Sequence, residues 1–141
     1  MRTILLLAVA LSIAGCMPHK NERTCFHDDA AIEKSIGYCQ AVRVGDTLYI
    51  SGVTASGPIG DAVRKVYRNL GGILKAHGLT FADVVKENVY ATNLDAFIET
   101  REIRKEFYGQ TLPAATWVQV QRLYLPAFVV EVELTAQFPD N

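Results

Sequence analysis

The sequence has no excess of charge of either sign. Its 14 lysine and arginine residues nearly balance its 15 aspartate and glutamate residues, and the 141-residue chain has a formal net charge of −1. Removal of residues 1–15, which contain one arginine, leaves −2. Because nucleic-acid binding needs a concentrated basic surface, we expect no nucleic-acid partner. Internal repeats and low-complexity tracts are also absent, and the length suits one domain with one hydrophobic core.

Long apolar runs are absent, apart from a short one at the front of the chain. Arg2 is followed by an apolar segment over residues 4–14. This segment is too short for a membrane-spanning helix, but it is typical of an export signal. A buried N-terminal helix or strand is the alternative. The tetrapeptide Ile-Ala-Gly-Cys at residues 13–16 resembles the lipobox at which bacterial lipoprotein signal peptidase cuts before cysteine.

The lipobox resemblance implies that residues 1–15 are a lipoprotein signal peptide and that Cys16 is lipidated. Several acyl chains would make membrane attachment effectively permanent. We therefore expect a lipid anchor in the bacterial cell envelope, on the periplasmic side, with inner or outer membrane left open. Residues 16–34 are mostly polar, and we expect them to form a lipidated tether.

Cysteine is scarce, with three residues in the chain. Export would place Cys25 and Cys39 in an oxidising compartment, where such a pair is a candidate disulfide. A metal site is the competing interpretation, with ligands drawn from Cys25, His27, Asp28, Asp29 and His19. These ligands crowd into one stretch without a second matching cluster, so we predict no metal site.

Residues 35–138 show the patterns of a small α+β domain. The predicted order is ββαβαββ, with one mixed sheet and two amphipathic helices on one of its faces. The other face, to which we assign Trp117, Val129, Glu131 and Glu133, is half apolar, which favours self-association. The predicted elements are strands at 38–44, 47–51, 84–91, 115–123 and 128–137 and helices at 61–78 and 93–108.

Several short motifs in this order resemble the RidA/YjgF (L-PSP) family over roughly residues 35–138. They are Ile36-Gly37-Tyr38 with Gln40, Tyr49-Ile50-Ser51-Gly52, Ala82-Asp83-Val84-Val85-Lys86, Leu112-Pro113-Ala114 and Val130-Glu131-Val132-Glu133. The resemblance implies a chorismate-mutase-like fold and a homotrimer with a small-molecule pocket in each cleft between subunits. It also implies hydrolysis of reactive enamines and imines to 2-oxo acids and ammonia, without a cofactor.

The same resemblance implies roles for four residues of this sequence. Glu131 matches the glutamate that handles water, and Tyr38 matches a tyrosine near the pocket mouth. Ser51 and Gly52 match a strand end whose backbone lines the pocket. The residues themselves leave alternatives open. Glu131 could be a rim glutamate or part of an intersubunit ion pair. Tyr38 could be an ordinary strand aromatic, and Gly52 could be a glycine needed for a bend.

One departure from the family pattern affects the predicted chemistry. Active members carry a carboxylate-binding arginine directly after Pro-Ala, whereas this chain has Ala115, followed by Thr116 and Trp117. The change removes a bidentate carboxylate clamp, and we expect the indole of Trp117 to fill part of the pocket. Arg101 is the first candidate for a replacement cation. Arg122 is expected to point away from this face by strand alternation, and a solvated surface position is the alternative for both arginines.

Two functions remain open from the sequence. One is an envelope-anchored imine or enamine deaminase, which the retained Glu131 favours. The other is a non-catalytic trimer that binds a small metabolite, which Ala115 favours. A ribonuclease activity, ascribed to some relatives, has little support in a slightly acidic chain without a basic patch.

Overall fold

A six-stranded mixed sheet organises the chain. The computed structural model describes residues 22–139, so the predicted signal peptide and the lipidation site Cys16 lie outside the described residues. The strands are β1 Arg23–Phe26, β2 Ala41–Val44, β3 Thr47–Ser56, β4 Val84–Ala91, β5 Ala114–Gln119 and β6 Phe128–Gln137. They follow the order β1-β2-β3-β6-β4-β5. All neighbouring pairs are antiparallel except β4 and β5, which are parallel.

Helices cover one face of this sheet, which confirms the predicted α+β class. The helices are α1 Ala30–Ile36, α2 Ile59–Ala76, α3 Leu94–Glu99 and α4 Arg101–Tyr108, and a short 3-10 helix spans Phe81–Asp83. The predicted second helix is divided at Thr100, which ends α3 and begins α4. The Thr100 hydroxyl donates to the Phe97 carbonyl at 2.7 Å and so takes up an acceptor that a continuous helix would use.

The N-terminal segment differs from the expected tether. Residues 23–36 form β1 and α1, and β1 pairs with β2 in the sheet. The side chain of Glu33 holds this segment, because it accepts hydrogen bonds from the backbone N–H groups of Asp28, Asp29 and Gln40 at 2.9, 2.8 and 3.1 Å. Residues 23–34 therefore belong to the folded domain, because a buried carboxylate supplies the acceptors that a polar sequence pattern does not reveal.

A disulfide joins Cys25 in β1 to Cys39 just before β2. The two Cα atoms are 5.6 Å apart, and 14 positions separate the residues in sequence. Helix α1 lies in the loop that the disulfide closes. The bond therefore links the added first strand to the start of the second strand.

The core between sheet and helices contains one buried charged group on β4. Glu87 is fully buried, and Oε1 of its carboxylate accepts from Arg104 Nε at 2.7 Å and from Trp117 Nε1 at 3.1 Å. Its Oε2 accepts from the hydroxyls of Tyr67 and Tyr108 at 2.8 and 2.7 Å. Burial, followed by the charge of Glu87, raises the pKa of both tyrosines, so they remain neutral donors. The four donors compensate the desolvation of the carboxylate.

Trp117 does not lie on the open face of the sheet, where the sequence-based prediction placed it. Its ring packs edge-to-face on Phe97 of α3, with 5.3 Å between ring centroids, and its indole N–H donates to Glu87. It therefore lies on the helix-covered face of β5 and not on the open face, where it was expected to fill a pocket. The indole N–H lies on this face because it hydrogen-bonds the buried carboxylate of Glu87, a contact that the sequence pattern of β5 does not indicate.

The opposite face of the sheet is open in the protomer. Polar and aromatic side chains occupy it, including Tyr49, Asn88, Tyr90 and Glu133, and Tyr49 is 51% exposed. Thr116 also lies on this face, where its hydroxyl accepts from Lys86 Nζ at 2.6 Å. Among the described residues, no helix combines the length and the apolar character needed to cross a membrane.

We expect Glu87→Gln to lower the free energy of unfolding by about 3–5 kcal/mol, because Arg104 would keep a buried charge without a counter-charge. Urea unfolding measures the change. Glu106→Gln is the matched control, since Glu106 also pairs with an arginine, Arg64, at 2.6 Å but is exposed. Its stability should barely change, because solvent screens exposed pairs. Equal effects of the two substitutions would contradict a structural role for the buried pair.

Candidate functional site at the open sheet face

Four of the predicted site residues line one cavity of about 320 Å³ where β3 and β6 meet the end of α1. The four are Tyr38, Ser51, Gly52 and Glu131. The remaining lining residues are Ile36, Thr54, Tyr124 and Phe128. Half of the lining residues, including the carboxylate of Glu131, were therefore predicted from the sequence.

The β3 backbone brings Ser51 and Gly52 to this cavity. Ser51 Oγ donates to the Cys39 carbonyl at 2.7 Å, and the Ser51 N–H donates to the Gln40 carbonyl at 2.9 Å. The pairing of β3 with β6 shifts register between Ile50 and Val53, at the position of Gly52. A Cβ at Gly52 would overlap the Glu131 carboxylate. Glycine is therefore needed here because a side chain approaches the backbone closely.

Glu131 differs from its neighbour Glu133 on the same face of β6. The carboxylate of Glu133 accepts from Asn88 Nδ2 at 2.7 Å and from the Tyr90 hydroxyl at 3.1 Å. Within residues 22–139, the carboxylate of Glu131 has no hydrogen-bond partner. Burial raises the pKa of Glu131, and the negative charge of Glu133 raises it further. Such a carboxyl group can exchange a proton closer to neutral pH than an ordinary glutamate.

Tyr38 supplies a neutral hydroxyl at the mouth of the cavity. It follows α1 directly and is partly exposed. Burial raises the pKa of Tyr38, and the negative charges of Glu33, Asp29 and Asp28 add to the effect. The phenol therefore stays protonated and can donate a hydrogen bond to a ligand atom.

The remaining predicted site residues lie elsewhere in the protomer. Ala115 pairs with Glu87 across β4 and β5 and shares the face of Trp117, whereas Thr116 lies on the opposite face with Lys86. Arg101 is exposed at the start of α4, where its Nε lies 3.6 Å from Glu102. Ala115, Thr116, Trp117 and Arg101 therefore do not line this cavity.

Arg122 lies in the loop after β5 and not in the fourth strand, which was predicted to run to residue 123, although it does lie away from the face of Ala115 and Trp117 as expected. β5 ends at Gln119, so strand alternation does not apply to Arg122. Together with Glu131 and Glu133, this arginine lines an adjoining cavity of about 350 Å³. Its Nε and Nη2 donate to the carbonyls of Leu123 and Tyr124 at 3.2 and 3.3 Å, which holds the guanidinium at the loop. The location of Arg122 depends on where β5 ends, and the sequence pattern does not show that the strand ends at Gln119.

The described part of the chain has one group of three potential metal ligands, Cys25, His27 and Cys39, whose ligand atoms lie within 4.8 Å of one another. The disulfide uses both sulfur atoms. Asp29, a ligand in the alternative metal site, caps α1 by accepting from the N–H groups of Ala31 and Ile32. The alternative ligand His19 lies outside the described residues.

The raised pKa of Glu131 predicts a pH-dependent effect of Glu131→Gln on stability. Below the ordinary pKa of glutamate, the wild-type carboxyl is neutral whether folded or unfolded. As the pH rises through its raised folded-state pKa, ionisation of Glu131 costs the folded wild type stability. We expect the Tm advantage of Glu131→Gln over wild type to grow from acid to neutral pH. Thermal unfolding at both pH values measures it, and an advantage that shrinks with pH would contradict the burial of this group.

Comparison with known proteins agrees with this architecture. The sequence matches the family described as Endoribonuclease L-PSP over residues 28–138. It is 34% identical over 95 residues to a 2-iminobutanoate/2-iminopropanoate deaminase of Dermatophagoides farinae, covering 61% of this chain and 74% of that protein. It is 34% identical over 113 residues to a RutC family protein of Pyrococcus horikoshii, covering 73% of this chain and 89% of that protein.

Solved structures show the same fold. A member of the YjgF/YER057c/UK114 family from Mycobacterium tuberculosis superposes with a TM-score of 0.75 at 32% identity, covering 82% of this chain and 99% of that chain. A YjgF family member from Neisseria meningitidis superposes with a TM-score of 0.73 at 21% identity, covering 87% of this chain and 100% of that chain. The sequence match over residues 28–138 and the shared fold show that this chain belongs to the RidA/YjgF (L-PSP) family.

Proposed function

We propose that the protein hydrolyses a small imine or enamine, with Glu131 as the general acid and base. The observation that carries this proposal is the state of the Glu131 carboxylate. It faces a cavity, has no hydrogen-bond partner within the described residues, and has a raised pKa. The similarity of the chain to a 2-iminobutanoate/2-iminopropanoate deaminase supports the same chemistry.

Hydrolysis needs two proton transfers at this site. The Glu131 carboxylate takes a proton from water as the water oxygen bonds to the imine carbon, and the protonated Glu131 then gives that proton to the nitrogen. In the resulting carbinolamine, Glu131 carries the hydroxyl proton to the nitrogen as the C–N bond breaks, so ammonia leaves and the carbonyl product forms. The Tyr38 hydroxyl can donate to the substrate during this sequence, since its raised pKa keeps it protonated.

Ala115 replaces the arginine that binds the substrate carboxylate in active family members, so another cation would be needed for that role. We assign this role to Arg122, because it lines a cavity with Glu131. Arg101 lines neither this cavity nor the one that contains Tyr38. Glu131 and Glu133 would repel a substrate carboxylate, and the guanidinium of Arg122 would offset that repulsion.

A non-catalytic binding function is the second candidate. Ala115 in place of the carboxylate-binding arginine favours it, as does the partly apolar lining that Ile36, Tyr124 and Phe128 provide. Such a cavity suits a small uncharged or aromatic ligand.

We also propose that the protein is a homotrimer and that the cavity forms part of a cleft between subunits. The open sheet face supports this arrangement, because it exposes Tyr49 and Val118 in the protomer. Contact with a second copy would cover these side chains and separate the proposed site from bulk solvent.

Imine hydrolysis by the purified protein tests the proposal. An amino-acid oxidase generates the imine, and semicarbazide traps what remains. We expect Glu131→Gln to lower the rate by about tenfold or more, as for a lost general acid–base group. Glu106→Gln is the matched control, because Glu106 is exposed on α4 and lines neither cavity, and its rate should stay close to wild type. An unchanged rate in Glu131→Gln would assign this glutamate a structural role.

Further variants in the same assay separate the two candidate functions. Arg122→Ala should weaken hydrolysis of an imine that carries a carboxylate, whereas Arg101→Ala should not. If wild type is inactive and Ala115→Arg is active, the protein is a binding module that has kept the site. Light scattering of each variant checks that three copies remain together, and a monomer would contradict the cleft.

We propose, finally, that Cys16 anchors the domain to the cell envelope. Because β1 begins at Arg23, the residues from 16 to 23 span at most about 25 Å when fully extended, so the domain would lie close to the membrane. In a bacterium that processes lipoproteins, we expect wild type in the membrane fraction and Cys16→Ser released from it. The same distribution for both proteins would contradict lipidation.

A further inference from the structure

The Cys25–Cys39 disulfide has a histidine beside it that the proposed imine site does not use. His27 Nε2 lies 3.3 Å from Cys25 Sγ. On the other side of the ring, His27 Nδ1 lies 2.6 Å from Glu33 Oε2. Glu33 is 2% exposed. A carboxylate, an imidazole and a sulfur atom therefore lie in a row.

Glu33 fixes the orientation of this imidazole. Burial opposes the charge of Glu33, but hydrogen bonds from the Asp29 backbone, the His27 ring and the Asp28 and Gln40 backbones lower its pKa. An ionised Glu33 accepts a hydrogen bond from the Nδ1–H group, so Nε2 faces the sulfur with its lone pair when the ring is neutral. A carboxylate that orients a histidine toward a sulfur atom is the arrangement that activates cysteine thiols.

The two cysteines are both partly buried but differ in their surroundings. Cys39 lines an open groove of about 480 Å³, and so do two cationic side chains, Arg23 and Lys34. Cys25 lies on the side of His27 and does not line this groove. A thiol that carries a negative charge can therefore approach Cys39 between two cations, while Cys25 remains next to the imidazole.

We propose that Cys25–Cys39 is a redox-active disulfide that exchanges with small anionic thiols, with Cys39 as the attacked sulfur and Cys25 as the leaving thiolate. The incoming thiolate forms a bond to Cys39 Sγ, and the Sγ–Sγ bond breaks. The electron pair of that bond stays on Cys25 Sγ, and the proton that the incoming thiol lost on ionising reaches this sulfur through His27 Nε2, 3.3 Å away. A second thiol molecule then releases Cys39 and leaves both cysteines reduced, while the reductant becomes a disulfide.

This exchange would take place next to the proposed imine site. Tyr38 and Ser51 line both the groove at Cys39 and the cavity at Glu131, and the Ser51 hydroxyl donates to the Cys39 carbonyl. A thiol bound to Cys39 would thus lie beside two residues of the candidate site.

Glutathione added to the oxidised full-length protein tests the direction of attack. Acid quenching, alkylation and peptide mass mapping locate the mixed disulfide and distinguish it from Cys16. We expect glutathione on Cys39. Glutathione on Cys25 would overturn the proposal, and so would a disulfide that millimolar glutathione leaves intact.

Alkylation of the fully reduced protein tests His27. At about pH 6, where an ordinary thiol is almost entirely protonated, we expect Cys25 to react about tenfold faster in wild type than in His27→Ala. A chelator is present throughout, because Cys25, His27 and Cys39 could hold a metal ion once reduced. Equal rates in wild type and His27→Ala would overturn the role of the imidazole.

His77→Ala is the matched control for this measurement. His77 is close to the same segment, since its ring packs on Phe26 with 4.5 Å between centroids, but it hydrogen-bonds the Ile73 carbonyl and not a sulfur atom. Its alkylation rate should equal that of wild type. If His27→Ala fails to fold, His27→Gln replaces it, and the mass mapping in wild type needs neither variant.

Discussion

The buried carboxylate of Glu87 is the constraint on which the packing of helices against the sheet depends. Its donors come from three elements: Tyr67 from α2, Arg104 and Tyr108 from α4, and Trp117 from β5. A buried charge is tolerated only when hydrogen bonds and a counter-charge replace its hydration. Because these donors reach the same two oxygen atoms, α2 and α4 are both held to the same point on β4.

This polar centre also decides which side chains remain for the functional face. Trp117 supplies a donor to Glu87 and is therefore absent from the open face. What remains near β6 is a carboxylate without a partner in the described chain, Glu131, beside a partnered one, Glu133. One face of the sheet thus satisfies its charges internally, whereas the other keeps a proton-exchanging group available to a ligand.

The regular elements of the fold were predictable because local patterns specify them. Strand β4 at residues 84–91 and strand β6 at 128–137 have their predicted bounds, since alternating burial requires alternating apolar residues. β1 and α1 were missed because four residues and seven residues are too few to show a period. Glu33 stabilises this segment by accepting hydrogen bonds from the backbone N–H groups of Asp29, Asp28 and Gln40, which are close in sequence, and the apolar pattern does not indicate these contacts.

Hydrophobic periodicity and short motifs along the chain were enough to predict the α+β class, the order of the main strands and helices, the family, and four residues of one cavity, Tyr38, Ser51, Gly52 and Glu131. Three contacts became visible only in the folded protein. Trp117 donates to Glu87, Arg122 lines a cavity with Glu131, and His27 faces the disulfide. Each depends on where a polar group finds its partner across the fold. Burial makes that pairing obligatory, but the linear sequence does not state it.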